Sequence, residues 1–124
     1  MTTTPDPRPR VQTGPTATRL AGHRCTSCGH PLLWASPACP LCTAATAPAE
    51  FGPFGTVWSS TVVRVPVPDR KPPYVLAYVD LDDGPRVLAH VARRNGSDGR
   101  VPVGTRVALT ESTDQGDVQV EVAA

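Results

Sequence analysis

Four cysteines carry the plainest chemistry in this chain: Cys25, Cys28, Cys39 and Cys42, two Cys-x-x-Cys pairs with ten residues between them. Two residues between paired cysteines let a tight turn aim both sulfurs at one ion. The spacer lets a single hairpin bring the second pair back to the first. Four thiolates at about 2.3 Å satisfy zinc in a tetrahedron, and a sphere filled by protein leaves no position for a substrate or activated water. The spacing therefore predicts a structural metal site, with zinc as the metal and iron, as in a rubredoxin-like pair of knuckles, as the competitor. In a reducing compartment such pairs read as metal ligands rather than disulfides. His23 and His30 flank the site and are expected to lie at the surface or behind the ligands.

The elements that must hold these residues are short. Fifteen prolines and ten glycines in 124 residues argue against long helices and for strands, turns and extended loops. Residues 1–18, rich in Thr and Pro, offer little to bury and read as a disordered tail. Thr18 to Ala21 is a candidate for one helical turn. Residues 19–46 form the metal ribbon, with Gly29 placed for a positive φ after the first pair and a short strand over Pro31 to Trp34. Residues 47–54 read as a linker anchored by Phe51 and Phe54.

From residue 55 to 124 the period becomes two. A long strand is expected from Thr56 to Val67, with Val57, Ser59, Thr61, Val63, Val65 and Val67 on one face and Trp58, Ser60 and Val62 on the other. Tyr74 to Leu81 is a second strand and Arg86 to Ala92 a third, joined by the turn signal Asp82-Asp83-Gly84-Pro85. Arg106 to Thr110 is a fourth, and Val118 to Val122 a fifth. Five short strands with a longer loop between the third and fourth suit a small Greek-key barrel of the OB type, with an SH3-like barrel or a small sandwich as alternatives of the same period. The fold class is mainly β: a four-cysteine ribbon followed by a five-stranded OB-like barrel.

Charge narrows the function. Residues 1–24 carry +3, residues 25–50 carry −1, and from residue 51 eight Arg/Lys face nine Asp/Glu. A nucleic-acid binder needs a basic field for phosphate, and the β-rich part lacks one. No apolar run is long enough to span a bilayer, and no apolar signal core opens the chain, so a cytoplasmic location is expected.

Taken in order, Arg24-Cys25-Thr26-Ser27-Cys28-Gly29, Cys39-Pro40-Leu41-Cys42, Gly55-Thr56-Val57-Trp58-Ser59, Pro72-Pro73, Asp82-Asp83-Gly84 and Gly104 with Val107 resemble the DUF35 family over about residues 19–123. That family joins a rubredoxin-like zinc ribbon to an OB-fold. The resemblance implies a non-catalytic accessory subunit in acyl-CoA, lipid or steroid metabolism. Its implied partner is a thiolase-like protein (a thiolase, an aldolase or an acyl-CoA hydratase), with acyl-CoA at the shared interface. The family's longer N-terminal helical segment is replaced here by the Pro/Thr-rich tail.

Candidate contacts for a partner or for coenzyme A are Trp34, Phe51, Phe54, Trp58 and Tyr74, with Arg93 and Arg94 as phosphate ligands. Packing between modules and solvated charge are the plainer readings of the same residues. No Ser/His/Asp set or carboxylate pair for catalysis appears, and His90 reads as a structural strand histidine. Single-stranded nucleic-acid binding and rubredoxin-like electron transfer stand as the alternative functions.

Overall fold

A computed structural model describes residues 8–92 and 100–123. Arg93 and Arg94 lie outside the described residues. Among the described residues there are nine strands and no helix long and apolar enough to cross a membrane.

The first sheet is built around β2 (Thr18–Cys25). β1 (Arg10–Thr13) pairs with its first half and β3 (Pro31–Leu32) with its second, along one edge. β4 (Thr46–Phe51) pairs along the other, from Leu20↔Phe51 to Cys25↔Thr46. Two expectations are corrected here. Residues 10–13 are a strand rather than part of a disordered tail, and Thr18 to Ala21 is extended rather than helical. The reason is tertiary: β2 offers an open edge, and backbone pairing there satisfies groups that a Thr/Pro segment cannot satisfy alone. The expected linker is likewise mostly strand. β4 runs through Phe51, and β5 (Phe54–Val63) begins three residues later.

The second sheet is a closed barrel in the order β5-β6-β7-β9-β8, adding β6 (Tyr74–Leu81), β7 (Arg86–Val91), β8 (Arg106–Thr110) and β9 (Gln119–Val122). All neighbours are antiparallel except β7 and β9, which run parallel. That order is the OB-fold's. Alternation places Val75, Ala77, Val79 and Leu81 of β6, and Val87, Ala89 and Val91 of β7, in the interior with Val107, Leu109, Val118 and Val120.

β5 departs from strict alternation. A bulge falls between Val57 and Ser59, so Val57 faces Val79 while Ser59 faces Tyr78, and Trp58 is the extra residue. Val57 is buried, and beyond the bulge Val62 packs on the core. The single face expected for Val57, Ser59, Thr61 and Val63 is therefore broken after its first member. The strand also ends at Val63, before Pro66 and Pro68.

Leu20 of β2 and Phe51 of β4 are fully buried and belong to the same hydrophobic cluster as the barrel residues. Ribbon and barrel thus share one core. Burying side chains of this size stabilises by about 1.5–3 kcal/mol each.

Candidate metal centre

The two Cys-x-x-Cys turns are built alike. In the first, the Gly29 amide donates to the Cys25 carbonyl (3.2 Å) and the Cys25 amide to the His30 carbonyl (2.9 Å). In the second, the Thr43 amide donates to the Cys39 carbonyl (2.9 Å) and the Cys39 amide to the Ala44 carbonyl (2.8 Å). Both turns need a left-handed residue just after the second cysteine. Gly29 supplies it at φ 78°, as expected, whereas the second turn uses Thr43 at φ 66°. Thr26 ties the turns together, its amide and hydroxyl both donating to the Ala45 carbonyl.

These turns bring the ligand atoms of Cys25, Cys28, Cys39 and Cys42 within 4.8 Å of one another. Cys25 and Cys42 sulfurs are 3.4 Å apart, and Cys28 and Cys39 sulfurs 3.7 Å. All four cysteines are free. A tetrahedron with metal–sulfur bonds of about 2.3 Å has sulfur–sulfur edges of about 3.8 Å, so the cluster fits a single ion. Backbone amides already face the sulfurs: those of Cys28 (3.3 Å) and Ser27 (3.4 Å) donate to Cys25 Sγ, and that of Leu41 (3.4 Å) to Cys39 Sγ.

The electrostatics point the same way. The amides of Cys28 and Ser27 bring the Cys25 thiol down to about 6. Cys28 receives the His30 amide, which favours its thiolate, yet burial and the sulfurs of Cys25, Cys42 and Cys39 push it up to about 12. One thiolate forms readily and the next is opposed by its neighbours. A bound cation removes that opposition, because it turns mutual repulsion into shared attraction.

The other candidate residues are spread over both modules. Phe51 is buried, with the Arg24 guanidinium 5.1 Å above its ring. Trp34 on the ribbon and Phe54 at the start of β5 are exposed. Trp58 and Tyr78 meet edge to face on the barrel's outer surface, and Tyr74 stacks on His90. Of the candidates Trp34, Phe51, Phe54 and Trp58, Phe51 is the one packed in the core shared by the two modules. His23 lies in β2, where its buried Nδ1 has no hydrogen-bond partner among the described residues.

Sequence reasoning missed two contact sets. One is Arg24, which donates to the Gly29 carbonyl in the first knuckle and to the Asp83 carbonyl in the β6–β7 turn. The other is Asp117, which joins Arg70 (2.6 Å), Arg8 (3.2 Å) and His90 (3.3 Å). The reach of Arg24 to Asp83, 59 residues on, and the gathering of distant charges at Asp117 have no local signal in the sequence.

A four-thiol knuckle pair sharing a core with a five-stranded OB barrel defines a metal-ribbon/OB-fold protein. Residues 49–110 match the family model described as the ChsH2 C-terminal OB-fold domain. A solved structure described as "Ltp2-ChsH2(DUF35) aldolase" is similar at 27% identity, covering 86% of each chain with a TM-score of 0.67. The chain belongs to the DUF35 family.

Proposed function

We propose that this protein is a non-catalytic subunit that binds a thiolase-like enzyme and helps assemble or shape its acyl-CoA site. The observation that carries the reading is the extent of the likeness to the Ltp2-ChsH2(DUF35) aldolase, which spans ribbon and barrel together. The site chemistry supports it. Four convergent thiols complete a tetrahedral sphere by themselves, which suits a structural zinc and leaves no open coordination position for catalysis. The His90–Asp117 pair is committed to structure: Asp117 also takes Arg8 and Arg70, and Tyr74 covers His90. Cys25, Cys28, Cys39 and Cys42 are the proposed ligands, and Trp34, Phe54, Trp58 and Tyr74 the candidate contacts for partner or CoA.

Co-expression of the full chain with candidate thiolase-like proteins from the same genome tests this reading. The expected result is a stable complex by size-exclusion chromatography with light scattering, and acyl-CoA turnover that neither protein shows alone. A chain that forms no such complex overturns it. Elemental analysis of the colourless protein should give one zinc per chain, whereas a red protein with a reversible one-electron couple would instead support the electron carrier.

A further inference from the structure

Arg24 stands directly before the first ligand cysteine, and its backbone is fixed in β2 between Pro31 of β3 and Ala47 of β4. From that anchor its guanidinium holds two carbonyls at once. Nη1 donates to the Gly29 carbonyl at 2.8 Å, and Nη2 donates to the Asp83 carbonyl, 59 residues away in sequence. The guanidinium carbon also lies 5.1 Å from the centre of the Phe51 ring. A planar fork keeps two such acceptors in a fixed relation, which the single ammonium of a lysine does not.

The two carbonyls belong to segments with separate tasks. Gly29 closes the first knuckle: its amide donates to the Cys25 carbonyl, and its φ of 78° sets the direction of its own carbonyl. Asp83 lies in the β6–β7 turn, where its carboxylate accepts from the Gly52 amide at 2.9 Å. In the same turn the Asp82 amide donates to the Phe54 carbonyl, and the Asp82 carboxylate takes two nitrogens of Arg106 from β8, at 2.7 and 2.6 Å. The turn is therefore fastened to the start of β5, to β8 and, through Arg24, to the knuckle.

The knuckle needs a metal to stay shut. Between Cys25 and Cys42 the regular structure among the described residues is the two-residue β3, and Cys28 and Cys42 are exposed. A segment with so little core is closed chiefly by its ion. When the ion leaves, the Gly29 carbonyl is free to turn away, and Arg24 loses one of the two acceptors that position it.

We infer that Arg24 couples metal occupancy of the ribbon to the order of the β6–β7 turn, so that one end of the barrel responds to whether the ribbon is loaded. By linkage the coupling runs both ways: loosening the turn must weaken metal binding. The inference rests on the four-cysteine site and is independent of any partner.

Hydrogen exchange by NMR on the full chain, zinc-loaded and after chelation, tests it. In wild type the amides of Gly52, Asp82 and Gly84 should exchange about tenfold faster without zinc. In Arg24→Leu and Arg24→Lys the same amides should change less than about twofold, while those of Gly29 and Thr43 in the knuckles speed up in every protein. Turn amides that ignore zinc in wild type overturn the inference. A full zinc response kept by both Arg24 variants also overturns it, and assigns the coupling to the core shared through Leu20 and Phe51. Zinc affinity, measured by competition with a chelating dye, decides the matter even where the zinc-free chain unfolds as a whole. Asp83→Ala should weaken zinc binding about fivefold in the wild-type background and less than about twofold in Arg24→Leu. Equal losses in the two backgrounds overturn the inference.

Discussion

Thr43 occupies in the second knuckle the place that Gly29 holds in the first, at φ 66° against 78°. A β-branched residue in this region carries a steric cost that glycine does not. Thr43→Gly should therefore stabilise the metal-loaded protein, by about 1 kcal/mol after allowing for glycine's greater freedom in the unfolded chain. Denaturant unfolding at fixed metal concentration measures it. The cysteines themselves should be far less tolerant. Replacing Cys39, buried in the ribbon, by Ser should abolish stoichiometric metal binding, read by elemental analysis after gel filtration. The cysteine spacing alone announced this site. The strain at Thr43 was not legible, because a backbone angle is fixed by the hydrogen bonds that close the turn.

At the level of elements, the joint between ribbon and barrel is the feature most exposed to test. Phe51 ends β4 and packs beneath the β6–β7 turn, where a Cβ on Gly84 would come within 2.6 Å of its ring. Asp83 in the same turn accepts from the Gly52 amide (2.9 Å) and from Arg24. Gly84→Ala must displace a buried aromatic ring and should cost about 1–3 kcal/mol, seen as a lower unfolding midpoint with unchanged metal content. Asp82-Asp83-Gly84-Pro85 was readable as a hairpin turn. Its second role, as the seat for Phe51, was not readable, since Phe51 is more than thirty residues away.

Across the whole molecule, Asp117 gathers Arg8 from the N-terminal arm, Arg70 from the β5–β6 connection and His90 from β7. Burial disfavours its charge, but Arg70 and Arg8 outweigh that and hold the carboxyl below its usual range. Burial also draws the His90 imidazole below its usual 6.5, against the pull of Asp117. Both groups then bind protons less readily folded than unfolded, so each loses stability as pH falls, His90 first, from about 6.5 downward. His90→Gln should flatten the fall in urea midpoint between about pH 7 and pH 5.5 relative to wild type. Any metal released from the four cysteines in acid would be lost by both proteins alike and would cancel in that comparison.

The sequence by itself determined the four-cysteine cluster, the five barrel strands and the alternation within β6 and β7, because cysteine spacing and side-chain period are local properties. It did not determine that residues 10–13 and 46–51 join β2, that a bulge at Trp58 switches the faces of β5 beyond it, or that Asp117 ties three segments together. Those depended on which edges, rings and charges folding brought side by side. Pairing across a sheet edge or a core is a property of three-dimensional neighbours, and nothing in the order of residues along the chain encodes it locally.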